Sequence, residues 1–408
     1  MNILFLTQIV PFPPDAGPKV KTWHVLRSLA GQGHSVTLVS FVRPEEEPHL
    51  PALKKTCKAV HAVPIRRSRV MDAGYMIRSY LTDRPFLIER DDLRPMQEAV
   101  SRLVSKGGFD FIHADQLTMA QFAIRGALLA QGRKPKVIFD SHNAVWTIVE
   151  RMKENAHWFL KPILNVEAKR VKRYEGELFK QVDHILAVTD LDRAGLEVAL
   201  ATVNVKANER IAPITVIPIA VDTQQLQPIS RKPGSKNIVT LGTLHYPPNA
   251  DGIRWFFNEV FPLIQKRVPG ATLTIIGKNP PQVFFEFAAR NSDSVKVTGY
   301  VSELPPYLAE SALMVVPVRA GGGMRVRILE AFAYAMPVVT TTIGLEGIRA
   351  ELEKDVIVAD AADDFANRVI ELLENVSLQE RLSSNGRKLA ETKYDWQVVL
   401  SAMKKIYE

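Results

Sequence analysis

Short apolar runs recur along this chain, each followed by a longer stretch whose apolar residues fall at helical spacing. Ile3-Leu4-Phe5-Leu6 predicts a strand over residues 2–7, and a loop of prolines and a glycine follows through Gly17. Val20, Trp23, Val25, Leu26 and Leu29 then mark one face of a helix over 19–30, closed by Gly31-Gln32-Gly33-His34. A second strand over 35–41 completes a strand–helix–strand unit, the opening of a doubly wound parallel sheet. Further strands are predicted at 109–113, 137–140 and 183–188. A second series reads as strands at 215–219, 237–241, 272–276, 295–298, 313–318 and 337–341, with helices over 251–267 and 326–335. The pattern restarts near 205–225, where Pro213 and Pro218 punctuate the chain. Two Rossmann-like domains are therefore expected, 1–212 and 213–392. The last helical stretch, 382–407 with Trp396, is expected to carry residues 393–408 back onto the first domain.

Composition narrows the class. The 408 residues exceed what one core usually organises. With 46% hydrophobic and 24% charged residues the chain reads as globular. Cys57 is its single cysteine, which precludes an internal disulfide and fits a reducing compartment. No basic leader precedes the first strand, and no apolar run approaches the roughly 18 residues needed to span a bilayer. A cytoplasmic protein, peripheral to a membrane at most, is expected.

The net charge of +8 is uneven. Residues 1–200 hold 29 Lys/Arg against 22 Asp/Glu, and residues 201–408 hold 23 against 22. Basic clusters stand at Arg66-Arg67-Ser68-Arg69 and at Lys169-Arg170 with Lys172-Arg173. They read as a solvated helix face, or as a surface for anionic membrane or an acidic, lipid-linked acceptor. Nucleic acid is not expected, because no aromatic-interleaved basic stripe accompanies the charge.

Candidate chemistry sits where predicted strands end, since ligands in such sheets bind beyond the carboxyl ends of strands. Gly242 follows the strand 237–241 directly, either as a plain tight turn or as a place where backbone approaches a phosphate. A stronger feature is Arg319-Ala320-Gly321-Gly322-Gly323-Met324-Arg325-Val326-Arg327-Ile328-Leu329-Glu330. There a strand runs into three glycines and then a helix, whose first amides and dipole favour an anion. Arg325 and Arg327 add fixed positive charge able to fork onto phosphate oxygens, and Glu330 offers an acceptor for paired ribose hydroxyls. No Gly-Lys-Ser/Thr follows the glycines, so this is not a P-loop. His142, just past the strand 137–140, is read either as a group facing a sugar hydroxyl or as a capping or core histidine. For His113 the core reading is preferred. No spacing suggests a structural metal.

These residues in this order resemble the retaining family-four glycosyltransferases of the GT-B fold. The resemblance is carried by Gly17, Gly33-His34, Val216-Ile217-Pro218, Val221-Asp222, Gly242, Gly277, Thr298-Gly299-Tyr300, Gly321–Glu330 and Pro337-Val338-Val339. With Pro248-Asn249 it is most similar to the branch tied to exopolysaccharide and envelope polysaccharide assembly. The resemblance implies transfer of a sugar from a nucleotide-sugar, UDP by the family's habit, held between two domains, to a lipid-linked or saccharide acceptor. It implies no cofactor and no essential metal. Gly17 would lie against the donor diphosphate, Gly242 and Thr243 along its phosphates, the Tyr300 backbone at the base and Glu330 at the ribose. His245, Asn249, Lys278, Gly322, Gly323 and Met324 would complete the donor site, with His142, Arg325 and Arg327 as catalytic candidates.

Two departures stand out. Gly322 occupies the position of the family's first paired glutamate, and Thr243-Leu244-His245-Tyr246 replaces its usual Arg…Lys pair. Arg325 or Arg327 is expected to supply the missing charge. The loss at Gly322 keeps open a non-catalytic nucleotide-sugar-binding scaffold. An epimerase on the same fold would need carboxylates and histidines that do not assemble here.

Overall fold

The computed structural model describes residues 1–154 and 156–408, which divide into two compact units: Met1–Ile219 with Val399–Glu408, and Ala220–Val398. In the first, β1 (Asn2–Thr7), β2 (Ser35–Val42), β3 (Ala59–Pro64), β4 (Phe111–Asp115), β5 (Lys136–Ser141), β6 (His184–Ala187) and β7 (Ile214–Val216) form a seven-stranded sheet. Its order is β3-β2-β1-β4-β5-β6-β7, with every pair parallel. In the second, β8 (Asn237–Leu241), β9 (Thr272–Ile276), β10 (Val295–Gly299), β11 (Leu313–Val316), β12 (Val338–Thr340) and β13 (Ile357–Val358) pair, again all parallel, as β10-β9-β8-β11-β12-β13. Both are doubly wound Rossmann-like sheets, as the sequence pattern predicts. In each, the winding direction reverses once, between β1 and β4 and between β8 and β11, and the carboxyl edge beside that reversal is where such sheets bind ligands.

Each unit has its own apolar core. Leu4, Leu6, Phe122 and Phe139 belong to the first, and Phe256, Phe257, Phe284 and Phe365 to the second, all essentially without exposure. The central strands are apolar on both faces, as strands covered on both sides must be.

Three expectations need correction. The strand expected at 215–219 is β7, the edge of the first sheet, paired with β6 rather than opening the second series. The division between units therefore falls after Ile219, not at 212. Prolines 213 and 218 bracket this strand instead of separating domains; the Pro213 carbonyl still accepts from the Ile185 amide, so the ladder continues to its edge. The helix expected over 251–267 comprises Pro247–Trp255 and Phe261–Arg267, joined by a π-helical stretch Phe256–Val260. Pro262 has no amide to give the preceding turn, and the wider turn absorbs that loss.

The terminal stretch is likewise broken. The helix Val376–Leu389 passes through a π-helical turn and stops at Asp395, which is extended. The Asp395 carboxylate accepts from the Thr223 hydroxyl at 2.6 Å and, with its other oxygen, from the Gln397 amide at 2.9 Å. It thereby starts a new helix, Trp396–Ser401.

Candidate functional site

In the second unit, four loops leave the carboxyl edge around the β8/β11 reversal. Gly242 follows β8 without a positive φ; what requires glycine is space, because a Cβ there would overlap the guanidinium of Arg327. Arg327 reaches back from the helix Val326–Ala333 and donates to the Leu241 carbonyl (2.7 Å) and to Asn249 Oδ1 (2.9 Å). Asn249 is buried and donates in turn to the Thr243 carbonyl at 3.1 Å, which pins the loop after β8 to the next helix. Gly277 closes against the same loop: a Cβ there would strike the Gly242 carbonyl.

Gly321 and Gly323 adopt φ of +93° and +83°, in the left-handed region that glycine enters at little cost. Arg325, at the N-cap of the helix Val326–Ala333, folds back so that its Nη1 donates to the Gly322 carbonyl at 2.7 Å and also to that of Gly323. Both arginines thus bond backbone carbonyls of the glycine-lined loops. A two-pronged grip on phosphate would have to release some of these bonds, but a carbonyl partner leaves the positive charge in place. Burial, with the nearby charge of Arg325, pulls the Arg327 guanidinium down to about 10, against the opposing pull of Glu330. Burial pushes the Glu330 carboxyl up, and Arg327 offsets part of this. Met324 is buried, Lys278 lies 4.6 Å from the centre of the Tyr300 ring, and His245 is exposed.

In the first unit the register across β1, β4 and β5 sets Thr7 opposite Asp115 and Asp115 opposite Asp140, side by side at the carboxyl edge. Asp115 is fully buried and accepts from Thr7 Oγ1 (2.7 Å) and Thr22 Oγ1 (2.9 Å); its other oxygen meets His142 Nε2 at 2.8 Å. Asp140 pairs with Lys21, itself only 2% exposed. Burial opposes charge on Asp140, but Lys21 first, with His113 and His142, outweighs it and holds the carboxyl far below the usual range. His113 is buried between Asp140 and the phenol of Tyr407, which bonds its Nδ1. Burial and the Asp140 charge push that phenol up.

Sequence reasoning missed Lys21, Asp115 and Tyr407. Asp115 alone left a trace, as the polar residue ending an apolar strand. Among the described residues, His113, Asp115 and Asp140 are the group whose atoms could converge on a metal ion. Lys21 already supplies a cation to Asp140, and Asp115 is taken up by two hydroxyls and an imidazole. A cavity of about 620 Å³ opens at the opposite, amino edge of the second sheet beside Asn237, Thr272 and Lys296.

The model for the glycosyl transferase 4-like domain matches residues 16–211, and that for glycosyl transferases group 1 matches 235–375. Together the two glycosyl transferase models cover most of both units. A 44.6 kDa protein in the cps region of Klebsiella pneumoniae is 26% identical to this chain over 173 residues, 41% of this chain and 45% of the relative. The match therefore spans less than half the length of that relative. Among solved structures, the sucrose-phosphate synthase of Thermosynechococcus elongatus superposes with a TM-score of 0.71 at 16% identity, over 100% of this chain and 98% of the other. Anabaena Alr3699/HepE, solved in complex with UDP, gives 0.69 at 13% identity over 100% and 99%. At such identities the likeness is one of fold, and that fold is GT-B.

The expected site residues fall into two groups. Gly242, Thr243, His245, Asn249, Lys278, Tyr300, Gly322, Gly323, Met324, Arg325, Arg327 and Glu330 all belong to the second unit. Gly17, which starts the helix Gly17–Gly31, and His142 belong to the first. His142 Nδ1 is buried without a hydrogen-bond partner among the described residues, whereas its Nε2 is fixed by Asp115.

Proposed function

We propose that this protein is a retaining, metal-independent glycosyltransferase that moves a sugar from a nucleotide-sugar, a UDP-sugar first, to a lipid-linked or saccharide acceptor in bacterial polysaccharide assembly. The observation that carries the reading is the loop Gly321–Gly323 running into a helix that bears Arg325, Arg327 and Glu330, next to Gly242 at the reversal point of the second sheet. Helix-start amides and two guanidiniums make a preorganised field for a diphosphate. The match of residues 235–375 to the group 1 glycosyl transferases, a structural neighbour solved with UDP and a relative from a cps region support the same reading.

In this scheme the bond between the anomeric carbon and the β-phosphate oxygen breaks, and the charge that builds on the phosphate is met by Arg325, Arg327 and the glycine loop. A β-phosphate oxygen takes the proton of the acceptor hydroxyl as the acceptor's own oxygen bonds the anomeric carbon on the same face. Thr243, His245, Asn249 and Lys278 line or brace the phosphates, Gly322, Gly323 and Met324 bring backbone to them, the Tyr300 backbone reads the base, and Glu330 holds the ribose. Gly17 approaches the diphosphate, and His142 serves a sugar or acceptor hydroxyl. The acceptor side works at an anionic membrane surface, which the basic excess of residues 1–200 favours.

A second reading is favoured by one residue. Gly322 gives the donor sugar no carboxylate, as in a protein that binds nucleotide-sugar without turning it over. Incubation with UDP-, GDP- and ADP-sugars plus crude lipid acceptor separates the two. Nucleotide release that persists in chelator and falls about 10- to 1000-fold in Arg325→Ala or Arg327→Ala is expected. Tight binding without release supports the scaffold, and wild-type rates in both variants refute the role given to the arginines.

A further inference from the structure

The helix Arg69–Thr82 is fourteen residues long and buries only Ser79. Isolated helices of this length are marginal in water, and most helices in proteins are held by packing an apolar face. This one instead turns apolar residues outward: Val70 and Leu81 are each 83% exposed and Ile77 64%. A second exposed apolar segment lies at the start of the helix Lys161–Gln181, with Trp158 (81% exposed), Phe159 and Ile163. The Trp158 and Phe159 rings meet edge to face at 6.0 Å, so they form one aromatic tip.

The two segments are joined. Arg170 lies 4.7 Å from the centre of the Tyr80 ring and donates to Asp83 at 2.9 Å, and Arg173 donates to the same carboxylate at 2.7 Å. Ile163 and Arg170 fall on one face of their helix, as do Ile77 and Tyr80 on the other, so both apolar stripes lead to this contact. The surrounding charge is predominantly positive. Residues 66–81 hold four arginines and one aspartate, and residues 156–173 hold five Lys/Arg and one glutamate. Arg67, Arg78, Arg170 and Arg173 are spent on Asp91, Glu89 and Asp83. Arg66, Arg69, Lys161 and Lys169 are exposed and make no ion pair among the described residues.

We propose that this face of the first unit, the helix Arg69–Thr82 together with residues 156–166, is a docking surface for the headgroup layer of an anionic lipid bilayer. Exposed Trp, Phe, Leu and Ile ringed by uncompensated Arg and Lys is the chemistry of a helix lying in such an interface. A second copy of the chain meeting it face to face would bring two positive rims together. Among the described residues no helix is long and apolar enough to cross a membrane, so contact is in the plane of the surface. The inference specifies the membrane part of the function proposed above; its assay contains no sugar, so it fails or stands apart from transfer.

Flotation of the full chain with vesicles tests it. Vesicles of phosphatidylcholine with roughly one-third phosphatidylglycerol should bind at least about tenfold more protein than phosphatidylcholine alone, and salt should reverse the difference. The double variant Trp158→Ala, Phe159→Ala should lose about tenfold in binding at an unchanged Tm, since neither side chain packs in the core. Leu81→Glu should do the same. Absence of vesicle binding, binding indifferent to phosphatidylglycerol, or wild-type binding by both variants overturns the proposal. So does a dimer in sedimentation that Leu81→Glu abolishes, which would assign the face to a second copy.

Discussion

The fit between Gly242 and Arg327 can be measured directly. The backbone at Gly242 is in a region open to any residue, so Gly242→Ala brings no strain of its own; its cost lies in displacing the Arg327 guanidinium from the Leu241 carbonyl and Asn249. Hydrogen bonds to a charged group contribute about 1.5–3 kcal/mol each, and water recovers part of that at a half-buried arginine. Gly242→Ala should therefore destabilise the second unit by about 2–4 kcal/mol. In an Arg327→Ala background there is nothing to displace, and the same change should cost less than about 1 kcal/mol. Hydrogen exchange at the amides of β8, followed for the wild type, both single variants and the double variant, reads the opening free energy of this unit alone. The reasoning is refuted by an equal cost in both backgrounds, or by no cost in the wild type.

Other consequences are simpler. Tyr407→Phe removes the hydroxyl on His113 Nδ1 inside a fully buried cluster, and urea melts should show a loss of about 1–3 kcal/mol. Burial opposes charge on Asp92, but Arg125 at 2.6 and 2.8 Å, with Gln97 and Arg84, outweighs it and holds the carboxyl down to about 2. An unfolded aspartate titrates near 4, so this stabilisation is complete above about pH 5 and is lost as pH falls toward about 2, up to about 2 kcal/mol in all. Asp92→Asn should flatten that limb of the stability–pH curve relative to wild type.

Much of the fold was written locally. Ile3–Leu6, the helix bearing Trp23 and Leu26, and the glycine run after β11 each announce their element within a dozen residues. What escaped depends on sheet order. Thr7, Asp115 and Asp140 become neighbours only once β1, β4 and β5 lie side by side, and no spacing along the chain encodes that. Gly242 was legible as a glycine that something must approach. That an arginine 85 positions later fills the space was not, because the contact belongs to packing between loops. The strand β7 is visible in the sequence but its sheet is not, since Pro213 and Pro218 mark its ends and read as a domain boundary. Edge strands tolerate such prolines where central ones do not.

Tyr407 has a consequence for how the molecule is made. Residues 399–408 belong with residues 1–219, yet a ribosome releases them only after the whole of the intervening unit has been synthesised. Until then His113 lacks its phenol partner, so the half of the protein made first is the half finished last. Loss of residues 399–408 would thus damage the amino-terminal unit, and translation interrupted before them would leave that unit for chaperones or proteases while the newer portion could already be closed.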